Sequence, residues 1–235
     1  DRVLKKDCLD LPEKIYTSRS ISMNPEQLKM YEQIRKKAIL MIDTDMVSAP
    51  MVATQLLRLQ QILSGHLRSD DGDLITFPTR RLDALVELCE EASGKIIIWS
   101  RFRYDIVKIT EKLNKTFGHQ FKKVAVSFFG DTSDNERQEN IKLFQDPKSS
   151  IRFFVGNPQT AGRGITLTAA NTVIYYANDF NLETRIQSED RCHRIGQHNP
   201  VTYIDLITEG TIDKKIVKSL RNKINLSAKV LGEEA

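Results

Sequence analysis

The second half of the chain alternates short β-branched runs with helical patterns, and this alternation limits the possible folds more than any other feature. From Gly94 onward, the runs KIIIW, KVAVSF, IRFFV, TVIYY and VTYIDLI are apolar on both faces. Such strands, separated by helices or loops, are typical of a parallel sheet that is covered on both sides. We therefore predict an α/β fold with a parallel sheet and helices on both faces.

The segments between these runs carry signals of buried helices. After the first run, an apolar stripe at helical spacing is formed by Phe102, Ile106, Ile109, Leu113 and Phe117. Ser133 and Glu136 form a capping box for the next helix. A last apolar stripe begins near Thr211 and includes Ile212, Ile216, Leu220 and Ile224.

The first 78 residues have a different pattern, with an extended lead-in followed by helices. Asn24, Pro25 and Gln27 are typical of an N-cap, a first-turn proline and a capping-box partner. The polar segment RSDDGDLITFPT predicts a linker, after which Thr79 caps another helix. We predict a helical annex and linker over residues 1–78 and an α/β lobe over residues 79–235.

Composition and charge exclude several classes of protein. Apolar residues make up 40% and charged residues 28%, as in ordinary globular proteins. No run is long enough to cross a bilayer and no signal-peptide core is present, so a cytoplasmic or nuclear protein is expected. The net charge of +4 allows a polyanionic partner without requiring one.

Cysteine spacing bears on redox state and on metals. Cys8, Cys89 and Cys192 lie far apart, which predicts reduced thiols in an intracellular protein. No second ligand pair accompanies Cys192 and His193, so we expect no metal site. The start at Asp1 leads us to expect that the chain is part of a longer protein.

The segment QSEDRCHRIGQ, residues 187–197, is the strongest chemical signal. If it is helical up to Gly196, Gln187, Arg191 and Arg194 share one face at i, i+4 and i+7. Two guanidiniums on one rigid face suit a phosphate chain, and we expect them at the ligand-binding edge of the sheet. The alternative is a solvated helix whose two acidic residues pair with the arginines.

A second segment, WSRFR, follows the first strand, where α/β proteins place ligands. Ser100, Arg101 and Arg103 offer a hydroxyl and two charges that could contact nucleic-acid phosphates. A solvated helix face is the alternative. Trp99 lies within the apolar strand and is predicted to be a core residue rather than a platform for base stacking.

A third segment, TAGRGITLT, contains two glycines that bracket an arginine. A loop built around Gly162, Arg163 and Gly164 can bring backbone N–H groups close to a phosphate. A tight turn without a ligand fits equally well. No GxxxxGK[ST] segment occurs in the chain, so the sequence excludes an independent P-loop ATPase.

Taken in their order along the chain, these three segments resemble the C-terminal lobe of superfamily 2 helicases, and most closely its Swi/Snf-type branch. KIIIWSRF resembles the strand-plus-Ser motif, FFGDTSDNERQENIKLFQ the glycine-containing segment, and TAGRGITLT the Thr/Ala/Gly loop. The family's QxxDRxHRIGQ motif is matched throughout, and DRCHRIGQ is distinctive of this branch rather than of RNA helicases. The loop AGRGI is shorter than the AGG-x-GL of many members.

The resemblance implies a RecA-like fold and half of an ATPase site. An N-terminal lobe of the same polypeptide would supply the phosphate-binding Lys, the magnesium carboxylate and the water-activating Glu, so ATP and Mg²⁺ would bind mainly there. Arg191 and Arg194 would act as arginine fingers. The other nucleotide-binding positions implied are Gln187, Asp190, Gly162 and Gly164.

The resemblance also implies contacts with the backbone of duplex DNA. The positions implied are Ser100, Arg101, Arg103, Gly130, Thr160 and Arg163. The full-length protein is expected to be a DNA-dependent ATP hydrolase and translocase, possible partners include a nucleoprotein, and the isolated chain is expected to be inactive. Two alternatives stay open: a non-hydrolytic module that binds DNA or protein, and an RNA helicase lobe.

Overall fold

The computed structural model describes residues 11–43, 48–69, 71–118, 123–160 and 164–230. Its strands are β1 (Lys14–Ile21), β2 (His66–Arg68), β3 (Leu74–Thr76), β4 (Lys95–Ser100), β5 (Ala125–Phe128), β6 (Phe153–Gly156), β7 (Ala170–Ala177) and β8 (Val201–Thr208). Its helices are α1 (Pro25–Asp43), α2 (Ala49–Leu63), α3 (Arg80–Glu91), α4 (Arg103–Phe117), α5 (Asp134–Gln145), α6 (Leu182–Glu189) and α7 (Ile212–Val230).

A six-stranded parallel sheet forms the centre of the fold, with the order β1-β8-β7-β4-β6-β5. The five runs predicted as strands are β4 to β8, so the α/β prediction is confirmed. Side chains along β4 alternate between two cores. Ile96 and Ile98 pack with α3 and α4, whereas Ile97 and Trp99 pack with Phe144 of α5. Helices therefore cover both faces, and Trp99 is a core residue as predicted.

Strand β1 was not predicted as part of the sheet. It pairs in parallel with β8, from Lys14 opposite Val201 to Ile21 opposite Thr208. It is an edge strand with mostly exposed side chains, so it lacks the continuous apolar run that marks a central strand. The segment before residue 79 thus adds to the sheet, and the boundary drawn at 78/79 stays a prediction.

Helices α1 and α2 form the predicted annex, and they pack against the last helix. Tyr31 of α1, together with Ile62 and Leu63 of α2, shares a buried cluster with Ile216 and Leu220 of α7. Ile224, predicted to be buried, is only half-buried. The annex therefore rests on the carboxyl-terminal helix of the same fold.

Several local signals can be compared with the structure directly. Asn24 caps α1 by accepting from the Gln27 N–H at 2.8 Å, as predicted. The Gln27 side chain does not complete a capping box, because it donates to the carbonyls of Ile62 and Leu63 and so joins α1 to the end of α2. The predicted linker is instead an antiparallel hairpin, β2–β3, with Gly72 at positive φ in its turn.

Cys89 and Cys192 are free and buried, and Cys8 lies outside the described residues. Burial raises the pKa of each of the two buried thiols to about 12. Neither thiol is therefore suited to act as a nucleophile near neutral pH. In the part of the chain that the structure describes, no helix is long and apolar enough to cross a membrane.

Candidate functional site

Loops after three strands meet at the carboxyl edge of the sheet. The Asn157 side-chain amide, after β6, donates to the Arg101 carbonyl, after β4, at 2.9 Å. The Gln159 amide donates to the carboxylate of Asp179, after β7, at 3.2 Å. The ends of β4, β6 and β7 are therefore joined by side-chain hydrogen bonds.

Gln60 of α2 joins two of these loops, and the sequence analysis missed it. Its amide donates to the Asn178 carbonyl at 2.6 Å, and its carbonyl oxygen accepts from the Arg101 guanidinium at 2.9 Å. Beside it lies a cleft of about 300 Å³, the carboxyl-edge cleft, lined by Ala53, Leu56, Leu57, Gln60, Arg101, Gln159, Asp179, Phe180 and Asn181. No local pattern marks Gln60, because its partners lie far away in the sequence.

The predicted DNA-contact residues differ in accessibility. Ser100 is fully buried, and its hydroxyl donates to Asp105 of α4 at 2.7 Å. Arg103 is exposed and forms an ion pair with Asp131 at 2.5 Å. Gly130, beside Asp131, is exposed as well. The structure thus presents Arg103 and Gly130 on the surface, whereas the Ser100 hydroxyl is held inside by the first turn of α4.

The glycine loop is described only at its two ends, since Gly162 and Arg163 lie outside the described residues. Thr160 is half-buried, and its N–H donates to Asn157 at 3.4 Å. Gly164 has a φ of +68°, a conformation that favours glycine, and no atom lies within 4 Å of where its Cβ would be. The positive φ at position 164, rather than close packing around it, therefore favours glycine there.

The arginine segment is not a continuous helix, so the condition for a shared helical face, a helix that continues up to Gly196, is not met. Helix α6 ends at Glu189, and residues 190–196 form turns that end at Gly196, which has a φ of +97°. The Arg191 carbonyl accepts from the Leu167 N–H at 2.8 Å, outside its own helix. The Gln197 amide donates to the Ala170 carbonyl at 2.7 Å. These tertiary hydrogen bonds draw the chain away from a helical path.

The same hydrogen bonds place the arginine segment at the amino end of the sheet. Ala170 is the first residue of β7, and Val201, shortly after the segment, is the first of β8. A crossover between parallel strands must return the chain to that end. The expectation that the arginines lie at the carboxyl edge, beside the loops after β4 and β6, is therefore wrong.

Four predicted site residues do come together there. Gln187, Asp190, Arg191 and Arg194 line a cleft of about 310 Å³, the arginine cleft, whose other lining residues are Leu11, His193 and Ile195. Burial lowers the pKa of Arg191, and the like charge of Arg194 lowers it further, against the opposing effect of Asp190. Two neighbouring guanidiniums in one cleft favour an anionic ligand.

Arg185 of α6 is a second residue that the sequence analysis missed. Its guanidinium donates to Glu189 at 2.8 Å and to Asp205 of β8 at 2.6 Å, and it lies 3.5 Å from the centre of the Tyr175 ring. Lys14 of β1 also pairs with Glu189, at 3.1 Å. Glu189 therefore pairs with Arg185 and Lys14, rather than with the arginines of its own segment.

This buried network fixes the start of the arginine segment. Tyr16 donates to Glu189 at 2.7 Å, and the hydroxyls of Tyr175 and Ser188 lie 2.7 Å apart. Burial and the negative charge of Glu189 raise the pKa of Tyr16. The last turn of α6 is thus tied to both β1 and β7 immediately before the arginine cleft.

Comparison with known proteins agrees with this architecture. The family described as the helicase conserved C-terminal domain matches residues 80–196. A human SWI/SNF-related matrix-associated actin-dependent regulator of chromatin, subfamily A member 1, is 31% identical over 72% of this chain and 15% of its own length. The ATP-dependent DNA helicase DDM1 of Arabidopsis thaliana is 40% identical over 44% of this chain and 14% of its own length.

A solved structure matches nearly the whole chain. The Sulfolobus solfataricus SWI2/SNF2 ATPase core in complex with dsDNA superposes with a TM-score of 0.72 and 30% identity, over 97% of this chain and 48% of that one. The chain thus spans about half of that ATPase core and a small part of the curated relatives. Fold, motif order and relatives all agree. The chain belongs to the Swi/Snf-type branch of the superfamily 2 helicases and is a RecA-like C-terminal lobe of that family.

Proposed function

We propose that this chain is one half of an ATP-dependent motor that moves along duplex DNA. The observation that carries the proposal is the arginine cleft, in which Arg191 and Arg194 lie together with Gln187 and Asp190. Charge builds up on the phosphoryl group as it is transferred, and prepositioned guanidiniums stabilise that charge. Arg191 and Arg194 are proposed to supply this stabilisation to a nucleotide held by a first lobe.

Gln187 and Asp190 are proposed to position the two arginines and to contact the nucleotide. Gln187 donates to Glu183 at 2.9 Å, which holds its amide on the exposed side of α6. The negative charge of Asp190 acts on Arg191 and opposes the repulsion from Arg194. A carboxylate at this place therefore stabilises the charged form of Arg191 beside Arg194.

ATP and Mg²⁺ are proposed to bind mainly to the first lobe. Among the residues that the structure describes, no cluster of three or more His, Cys, Asp or Glu side chains could hold a metal ion. The arginine cleft is cationic, so it fits phosphate oxygens and not a bare cation. When bound, Mg²⁺ would neutralise charge on the phosphates.

The carboxyl edge is proposed to hold the DNA backbone. Arg101 and Arg103 offer charges, while Gly130, Thr160 and Arg163 are proposed to contribute at the neighbouring loops. The buried Ser100 is proposed to act indirectly, because its bond to Asp105 orders the loop that carries Arg101. Contacts to phosphates position a protein on any duplex without reading its sequence.

The glycine loop is proposed to couple the two ends of the sheet. It leaves the carboxyl edge after Thr160 and reaches Ile165, whose carbonyl accepts from the Arg194 guanidinium at 3.4 Å. Gly164, next to Ile165, and Gly162 are proposed to lie near the nucleotide. One loop would then contact both DNA and the site of hydrolysis, so that closure of the two lobes could change the grip on DNA.

A nucleoprotein substrate is a further part of the proposal, since one relative is named as a regulator of chromatin. We propose a nuclear location if the source is eukaryotic and a cytoplasmic one if it is bacterial or viral.

ATPase measurements on the full-length protein with duplex DNA, single strands and RNA test the function as a whole. Stimulation by RNA alone would favour an RNA helicase, and absence of turnover with all three would favour a non-hydrolytic binding module.

The chain on its own is expected to hydrolyse no ATP and to bind it weakly, because it contains no phosphate-binding P-loop. Equilibrium titration with a fluorescent ATP analogue and a phosphate-release assay check this, with a thermal melt to confirm that the sample is folded. Micromolar binding with turnover by the folded chain would contradict the assignment of ATP to a separate lobe.

Replacing Arg101 and Arg103 together with alanine is expected to weaken binding to every duplex by a similar factor. Two lost phosphate contacts should also reduce the slope of log K against log salt by about 2. Fluorescence anisotropy of unrelated duplexes across a salt series measures both effects. A matched variant, Arg35→Ala with Lys36→Ala, removes the same charge from α1. A hundredfold discrimination between duplexes would instead indicate a module that reads bases.

A further inference from the structure

The outer face of α7 carries a concentration of positive charge that the arginine and glycine motifs do not explain. Five basic residues and no acidic one lie between Lys214 and Lys223, which is more positive charge than the net +4 of the whole chain. The opposite side of the helix is buried, since Ile212, Ile216 and Leu220 pack against α1 and α2. The helix is therefore fixed, and its charged side must face outward.

Three of these basic residues share one exposed face. Lys215, Lys218 and Lys223, with Ser219 and Asn222 between them, line a shallow groove, and we call these five residues the basic face. Lys214 and Arg221 are engaged elsewhere, with Glu209 at 2.7 Å and Asp205 at 3.8 Å. Within the described ranges, no carboxylate forms an ion pair with the lysines of the basic face.

The basic face borders the carboxyl-edge cleft. The Lys223 ammonium donates to the Phe180 carbonyl at 3.1 Å, and Phe180 itself lines that cleft together with Arg101. The Arg101 guanidinium after β4 and the lysines of α7 therefore border the same cleft, whose lining also includes the carboxylate of Asp179. A rigid polyanion held at the cleft would pass beside the lysines without any movement of the helix.

The chemistry of the basic face suits phosphates better than a protein partner. Its lysines supply charge, and Ser219 and Asn222 add neutral hydrogen-bond donors, which are common in contacts to nucleic-acid backbones. It has no aromatic or aliphatic side chain to act as the buried anchor that protein interfaces depend on. Contacts of this kind would be independent of base sequence.

We propose that the basic face is a second contact surface for the backbone of duplex DNA, extending the grip of the carboxyl-edge cleft. The proposal rests on the proposed function, because it takes duplex DNA to lie at the carboxyl edge. It adds a group of residues outside the loops after the strands. The added contacts lengthen the stretch of duplex held by this lobe.

The test uses the full-length protein with the substitutions Lys215→Ala, Lys218→Ala and Lys223→Ala combined. Three lost phosphate contacts should raise the Kd for a duplex by at least about tenfold and lower the slope of log K against log salt by about 3. The matched control combines Lys108→Ala, Lys112→Ala and Lys115→Ala on α4, which have similar helical spacing, and it should change the Kd by less than about threefold.

The arms of the test separate failure of this proposal from failure of the proposed function. If the α7 variant binds duplex DNA as the wild type does while Arg101→Ala with Arg103→Ala loses affinity, the basic face is not a DNA contact. The proposed DNA site at the carboxyl edge then stands. If both the α7 variant and the Arg101→Ala, Arg103→Ala variant bind DNA as the wild type does, the basic face and the carboxyl-edge DNA site are both overturned. Equal losses in the α4 and α7 variants would show that only net charge matters, which also overturns the proposal. Binding of a polyglutamate peptide by the wild type but not by the α7 variant, with DNA affinity unchanged, would assign the face to an acidic protein instead.

Discussion

Replacing Arg191 or Arg194 with alanine in the full-length protein is expected to reduce DNA-stimulated ATP turnover by about 10³- to 10⁵-fold. Each guanidinium meets charge that exists only in the transition state, so its loss should affect the rate far more than the binding of ATP. Steady-state phosphate release measures turnover, and equilibrium titration measures ATP affinity. An exposed ion pair is worth at most about 1 kcal/mol, far less than the roughly 4 to 7 kcal/mol implied here.

Two further variants make this test specific. Arg→Lys at either position should restore little activity, because an ammonium lacks the planar, two-pronged guanidinium. Arg35→Ala removes an exposed arginine of α1 and should leave turnover within about twofold. Turnover within a few-fold of wild type in both alanine variants, with the melting temperature and DNA affinity unchanged, would show that the arginine cleft is only a charged surface.

The second large effect concerns stability rather than catalysis. Arg185→Ala is expected to lower the free energy of unfolding by about 3 to 5 kcal/mol, because it removes the guanidinium that pairs with the buried carboxylates of both Asp205 and Glu189. Urea unfolding monitored by circular dichroism measures the loss. Arg35→Ala, which breaks an exposed pair with Glu32, should change stability by about 0.5 kcal/mol or less.

The pH dependence of stability provides a check on this account. Burial by itself would raise the pKa of Glu189, but Lys14, Arg185 and Tyr16 more than offset it, so the pKa lies below the usual value. A carboxyl group whose pKa is lowered by folding stabilises the protein above its unfolded-state pKa, and this contribution is lost as pH falls through the folded-state pKa. Arg185→Ala should therefore weaken the acid dependence of unfolding. If Arg185→Ala left the urea midpoint at neutral pH unchanged, or left the dependence of that midpoint on acid pH unchanged, the role assigned to Arg185 would be contradicted.

The parts of the fold that could be predicted have short-range signals. Strands β4 to β8 are β-branched runs that are buried on both faces, and this burial is visible in their composition. Thr79 and Ser133 cap their helices because each side chain reaches an N–H only two or three residues away. Trp99 could be assigned to the core because it continues an apolar run.

The features that were missed depend on partners that are distant in sequence. Strand β1 pairs with β8, which begins at Val201, far along the chain. The residues of β1 themselves have the mixed polar pattern of an exposed segment. Gln60 and Arg185 are polar residues within helices, and their hydrogen bonds become visible only when α2, β7 and β8 are brought together. No periodicity or motif encodes such pairings.

The sequence by itself determined the fold class, the family and the identity of the two arginines, because strand composition and the DRCHRIGQ motif are local properties. Only the tertiary structure decided where these arginines lie. Hydrogen bonds from Leu167 and Gln197, together with the crossover from β7 to β8, end the helix early and carry the arginines to the amino end of the sheet. The loops proposed to hold DNA remain at the opposite end, because parallel strands place all their carboxyl ends at one edge.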